Sequence, residues 1–86
     1  MSLADDMERG QKAARLLADP ILIEARKQVA ARIHEAWETA PIRDKEGAHE
    51  LRLMLKALNN VWALLEQAIA DGKLAAIEFE QLNRHN

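Results

Sequence analysis

Residues 51–69 read LRLMLKALNNVWALLEQAI, and this stretch decides the fold. Its apolar residues recur every three or four positions, the spacing that places side chains on one face of an α-helix. Two such stripes run side by side. The first, called seam 1, consists of Leu51, Leu55, Leu58, Trp62, Leu65 and Ile69. The second, called seam 2, consists of Met54, Ala57, Val61, Leu64 and Ala68.

A helix that carries both seams has more apolar surface than one partner helix covers. Each seam alone has the spacing of a coiled-coil contact, and a surface helix needs an apolar stripe of only about 100°. Two interpretations stay open: the two ends of the chain cover seam 2, or another subunit does. We favour the second interpretation, because a large exposed apolar strip usually marks an interface. Seam 2 is therefore predicted to be an oligomer interface.

Two prolines mark the boundaries of the helices that come before this stretch. Pro20 disfavours helical geometry at Asp19 and fits the first position of a new helix, which Asp19 can cap. Pro41 likewise keeps the residue before it out of a helix, and Asp44 can cap the helix that follows. These signals predict a helix break at residue 19 and a turn at residues 40–44.

The predicted fold class is all-α, with one antiparallel hairpin of two long helices at about 20–39 and 44–71. Gly72 is taken as the C-terminal cap of the second long helix. Short helices are predicted at both ends of the chain, and the whole is expected to oligomerise as a helical bundle. The N-terminal helix, residues 1–18, and the tail, residues 83–86, are predicted to be mobile.

Length and composition limit what the protein can be. The 86 residues allow a single helical domain, residues 1–86, whose small core makes oligomerisation a standard source of stability. The 12 Lys and Arg residues nearly balance the 14 Asp and Glu residues, which argues against a general nucleic-acid binder. No apolar run is long enough for a transmembrane helix, and the acidic start lacks the apolar segment of a secretory signal. A cytoplasmic protein is expected.

Candidate catalytic and metal-binding groups are few. Glu46 and His49 match the Glu-x-x-His pattern of di-iron bundles, but no second such pair completes the set. Ser2 is the only serine and there is no cysteine, so no activated nucleophile is expected. His34 and Glu38 are four positions apart and are best explained as a surface pair. The sequence therefore predicts no enzyme, no cofactor and no metal.

The main turn carries a concentration of charged side chains. Four of them could contact an anionic ligand or an acidic partner: Arg43, Lys45, His49 and Arg52. Guanidinium groups bind carboxylates and phosphates, and a helix N-terminus attracts anions. The alternative is a solvated helix start. Both tryptophans, Trp37 and Trp62, are expected in the core, with an exposed stacking ring as the minority case.

Three segments carry a resemblance to a known group of proteins. They read LLADP at 16–20, AWETAPIRDKEG at 36–47 and DGKLA at 71–75. Together with the leucine-rich segment 51–58 they resemble small helical proteins, about 80–90 residues long, that tailed phages and prophages encode. The resemblance implies a phage gene product and, by association, an assembly or accessory role. It assigns no activity to particular residues.

A looser similarity concerns the turn and the late tryptophan. Pro41, Arg43 and Trp62 are similar in order to residues of the phage hairpin proteins that sequester cyclic-nucleotide immune signals, the anti-CBASS proteins. Those proteins form higher oligomers, so the similarity implies a cyclic-nucleotide sponge with its sites at subunit junctions.

Three functions follow as hypotheses. The first is a non-enzymatic phage or prophage homo-oligomer that acts through protein–protein interaction with another phage or host protein, in virion assembly or in an accessory role. The second is the cyclic-nucleotide sponge, and the third is nucleic-acid binding in packaging or regulation, against which the balanced charge argues. The expected location is the host cytoplasm, or the virion if the protein is structural.

Overall fold

A computed structural model of the chain describes residues 2–84, and it is helical almost throughout. Three helices follow in order: α1 (Leu3–Ala18), α2 (Pro20–Thr39) and α3 (Lys45–Arg84). Residues 2–84 contain no strand. The all-α prediction is confirmed, and α2 has the predicted bounds.

Each helix begins at a side chain that accepts a hydrogen bond from a free backbone N–H group. Ser2 Oγ accepts from the Asp5 N–H at 3.2 Å. Asp19 Oδ1 accepts from the Ile21 N–H at 2.8 Å, with Pro20 in the first turn as predicted. Asp44 Oδ1 accepts from the Gly47 N–H at 2.9 Å. These caps satisfy donors that have no partner inside the helix, so the local sequence determines where helices start.

The predicted C-terminal end of α3 is wrong. We expected α3 to end at about residue 71, with Gly72 as its cap and a separate short helix after it. Instead α3 continues without interruption to Arg84, and none of the described glycines has a positive φ. Gly72 is buried inside the helix. Its role is to allow the close approach of α1.

α1 and α2 run antiparallel to α3 and contact it one after the other along its length, so the predicted packing of a single hairpin of two long helices is not confirmed. The carbonyl oxygen of Asp6 and the Cα of Gly10 each lie 3.0 Å from the point where a Cβ on Gly72 would be. Farther along, the Arg26 guanidinium lies over the Trp62 ring, 4.6 Å from its centroid. It also donates a hydrogen bond to Asn59 Oδ1 at 3.4 Å. Thus α1 contacts the C-terminal half of α3, and α2 contacts the N-terminal half.

This arrangement gives a long molecule with a thin core. The Cα atoms extend over 66 × 25 × 14 Å. The buried apolar side chains are Ala13 and Ala75, and no large side chain among the described residues is fully buried. All six residues of seam 1 are only half-buried. Trp62 belongs to this seam, whereas Trp37, also expected in the core, is 59% exposed.

Two further expectations concern the ends of the chain and the membrane. Asn83 and Arg84 belong to α3, while residues 85 and 86 of the predicted tail lie outside the described residues. The predicted mobility of residues 1–18 and 83–86 stays a prediction. Within the described part of the chain, no helix has the length and apolar character needed to cross a membrane.

Candidate interaction surfaces

Four of the five residues of seam 2 are exposed to solvent. Leu64 is 72% exposed, Met54 57% and Val61 52%, and Ala57 is exposed as well. By contrast, every residue of seam 1 is half-buried. The two seams predicted from the sequence therefore differ in the structure: seam 1 is partly covered, with Arg26 of α2 over Trp62, and this part of seam 2 is exposed.

Ala68, the fifth residue of seam 2, lies against α1 of its own chain. A Cβ on Gly10 would be 2.9 Å from the Ala68 carbonyl oxygen. Ala68 is half-buried, and the next positions on the same face of α3 are the buried Gly72 and Ala75. Thus α1 covers the C-terminal continuation of seam 2, and Ala68, predicted as an interface residue, does not belong to the exposed surface.

The change of face between α1 and α2 occurs at the break that Asp19 and Pro20 form. Each helical residue is rotated by about 100° from the one before it. On α3 this places Gly72 about 80° around the helix from Trp62. Since Gly72 contacts α1 and Trp62 contacts α2, the two shorter helices lie on different faces of α3.

A second exposed apolar strip runs along α2 beside seam 2. The half-buried positions Leu22, Arg26, Ala30 and Ile33 mark the side of α2 that faces α3. Three exposed apolar side chains, Ala25, Val29 and Ala36, lie about 60–100° backward around the helix from that side, while Ile21, Ile23 and Trp37 are exposed on other sides of α2.

The two exposed strips lie on the same side of the α2–α3 pair. On α3, seam 2 is rotated away from seam 1 in the same sense as the exposed strip of α2 is rotated away from the side of α2 that faces α3. When two helices are antiparallel, rotations of equal sense bring both strips to the same side of the pair. We call the combined surface the open face. It consists of Met54, Ala57, Val61 and Leu64 of α3 with Ala25, Val29 and Ala36 of α2.

The opposite side of the α2–α3 pair has a cleft near the main turn, with a volume of about 520 Å³. The lining of the cleft is mainly apolar and includes three polar residues, His34, His49 and Arg52. The exposed Trp37 ring also lines it. The remaining lining residues are Ile33, Ala48, Leu51 and Leu55.

The predicted anion-contact residues are only partly brought together by this cleft. His49 and Arg52 line it, whereas Arg43 lies in the turn and Lys45 starts α3, and neither lines the cleft. Sequence reasoning missed His34, which was interpreted as a surface pair with Glu38, and Trp37, which was placed in the core. His34 and Trp37 are three positions apart on α2, a spacing that places both side chains on one face of the helix, and this spacing could have indicated that they lie close together.

Residues 2–84 show no group of three or more His, Cys, Asp or Glu side chains arranged to hold a metal ion. Glu46 and His49 therefore have no converging third ligand in this range. No protein-family model, no curated protein and no solved structure matches the chain. The open face and the cleft are the two candidate interaction surfaces of residues 2–84.

Proposed function

We propose that the protein is a non-enzymatic, self-associating helical protein that acts through protein–protein contacts. The observation that carries the proposal is the open face, where Met54, Val61 and Leu64 are each more than half exposed, while the buried apolar side chains of the described residues are two alanines. The sequence resemblance suggests an assembly or accessory role in a tailed phage. The site of action would be the host cytoplasm or, for a structural role, the virion.

The free energy available at the open face supports association. Full burial of one Leu, Val or Met side chain contributes about 1.5–3 kcal/mol. Met54, Val61 and Leu64 each expose more than half of their surface, so each can still gain a large part of that amount. A small domain has a total stability of only about 5 kcal/mol or somewhat more. The face is therefore large relative to the stability of the chain alone.

Aspartate substitutions test the proposal, because a charge is costly to bury in an apolar contact. Val61→Asp and Leu64→Asp should give a particle of lower mass that is still helical. Leu58→Asp, on the half-buried seam 1, should unfold the chain. Sedimentation equilibrium measures the mass and circular dichroism the helix content.

Ala63→Asp is the matched control, since Ala63 is exposed on α3 but lies away from the open face. This variant should keep the wild-type mass. A wild-type protein that is monomeric at micromolar concentration, or Val61→Asp and Leu64→Asp variants with the wild-type mass, would contradict the proposed interface.

The cleft supports a second candidate function, the binding of an anionic ligand with a flat ring. Arg52 offers a guanidinium that can hold a phosphate with two hydrogen bonds. His34 and His49 also line the cleft and can donate hydrogen bonds, and the exposed Trp37 ring can stack on a base. This combination fits the cyclic-nucleotide hypothesis better than the turn residues Arg43 and Lys45 do.

A thermal-shift panel of cyclic dinucleotides and trinucleotides tests this second candidate. A ligand at about 100 times its Kd stabilises the folded state by about 2.7 kcal/mol, which is a measurable shift of the melting temperature. The shift should disappear in Arg52→Ala and persist in Arg43→Ala. The absence of any shift at high ligand concentration would remove the candidate without affecting self-association.

A further inference from the structure

We infer that the cleft between α2 and α3 binds an aromatic monoanion of the aryl carboxylate class, with its ring among the apolar lining residues and its carboxylate on Arg52. The inference rests on the second candidate function proposed above and names the chemical class of its ligand. It predicts one negative charge on a largely apolar molecule, in contrast to the several phosphates and sugars of a cyclic dinucleotide or trinucleotide.

Arg52 carries a guanidinium group that its own chain leaves without an acidic partner. Within residues 2–84 its side chain forms no hydrogen bond and no ion pair. An ion pair along α3 would need an acid three or four positions away, but those positions hold Ala48, His49, Leu55 and Lys56. A guanidinium without a carboxylate partner, beside an apolar cleft, is suited to bind the anionic group of a ligand.

The charge of the cleft fits a single anionic group. Among the described residues that line it, Arg52 is the one side chain that is always charged, and none is a carboxylate. The acidic residues next to the lining residues in sequence, Glu35, Glu38 and Glu50, do not line the cleft. A ligand with one negative charge is therefore matched by one positive charge, and each further anionic group would lack a charged partner.

The apolar part of the cleft fits a flat ring. Ile33 and Trp37 are four positions apart on α2, and Leu51 and Leu55 are four positions apart on α3, so each helix contributes one apolar pair to the lining. A ring between the two pairs has an apolar wall at each face, and the exposed Trp37 ring can stack on it. The volume of about 520 Å³ lies within the range of about 300–1,000 Å³ that is usual for small-molecule sites.

Naphthoate is the probe, because it joins a flat two-ring system to one carboxylate. Naphthamide, which has the same rings without the charge, is the matched ligand control. Isothermal titration calorimetry of the full chain should give a lower Kd for naphthoate than for naphthamide. In Arg52→Gln the Kd of naphthoate should rise about tenfold, the lower end of the range for a hydrogen bond to a charged group, because Arg52 is exposed. The Kd of naphthamide should stay the same.

Ala48→Leu tests the apolar part of the cleft without a change of charge. Ala48 is half-buried and lines the cleft, and leucine is nearly as good a helix former as alanine. The larger side chain should fill part of the cleft and raise the Kd of both naphthoate and naphthamide several-fold. Arg43→Gln is the control, since Arg43 lies in the turn and does not line the cleft, so both Kd values should be unchanged. Circular dichroism checks that each variant keeps its helix content.

The other outcomes separate the class of ligand from the role of the cleft. If a cyclic dinucleotide binds with a dependence on Arg52 and naphthoate does not bind, the ligand class is overturned and the second candidate function stands. Naphthoate binding that neither Arg52→Gln nor Ala48→Leu weakens would place the ligand outside the cleft and overturn the inference. If neither anion binds, the inference and the second candidate function fall together. Self-association is judged separately, from the mass of the particle in sedimentation.

Discussion

At Gly10 and Gly72 two helices meet backbone to backbone. A Cβ on Gly10 would lie 2.9 Å from both the Ala68 carbonyl oxygen and the Gly72 Cα. Helix propensity alone makes both residues unfavourable, by about 1 kcal/mol each relative to alanine. Sequence reasoning accordingly treated Gly72 as a cap. The pairing of two glycines that lie 62 positions apart depends on tertiary packing, which no local pattern reveals.

The variant Gly72→Ala tests whether packing outweighs propensity at this crossing. If Gly72 were an ordinary helical glycine, the substitution would stabilise the protein by about 1 kcal/mol. We expect a lower melting temperature instead, because the added Cβ meets backbone atoms of α1 at 3.0 Å. Thermal denaturation followed by circular dichroism measures the change.

Ala70→Gly calibrates the propensity term on the same helix, since Ala70 is exposed. It should destabilise the protein by about 1 kcal/mol with no packing change. If Gly72→Ala stabilised the protein by as much as Ala70→Gly destabilises it, the close approach of α1 would have no energetic weight.

The break between α1 and α2 shows which element boundaries the sequence encodes. The Asp19 N–H donates to the Leu16 carbonyl oxygen at 3.1 Å, while the Asp19 side chain caps α2. Pro20 and Asp19 act within one turn, so the end of α1 and the start of α2 were predictable. The end of α3 was not, because no proline follows Gly72 and the helix continues for another 12 residues through good helix formers.

Substitutions at Asp19 test its role as a cap. Asp19→Ala leaves the Ile21 N–H without its side-chain acceptor and should destabilise the protein by about 1 kcal/mol. Asp19→Asn keeps an oxygen that can accept the same hydrogen bond and should cost only a small fraction of this. Urea denaturation of the two variants gives the difference. Equal losses in both would show that the charge of Asp19, not its hydrogen bond, supports the start of α2.

For the whole molecule, the exposure of seam 2 was predictable and the cleft was not. The two seams follow from residue spacing, and one partner helix cannot cover both. The cleft depends on how far α2 stands from α3 near the turn, where His34, Trp37 and His49 face one space. That separation is set by how the side chains of both helices pack together, so single-helix periodicity carries no information about it.

A chain that buries its open face only in an oligomer should have a stability that depends on its concentration. Association stabilises the folded state by mass action. A tenfold increase in protein concentration therefore raises the free energy of unfolding, by an amount that depends on the Kd of the oligomer. We expect the melting temperature to rise steadily between about 1 and 100 μM. Thermal denaturation of the wild-type protein over this range measures the effect, with helix content recorded at each concentration.

Val61→Asp is the matched variant for this experiment. It changes one exposed side chain of the open face and leaves both seam 1 and the Gly10–Gly72 contact in place. Its melting temperature should be lower than that of the wild type and independent of concentration. A wild-type melting temperature that stays constant across the range would mean that the monomer with its thin core is stable alone, and that the exposed leucine, valine and methionine side chains of α3 contribute nothing to it.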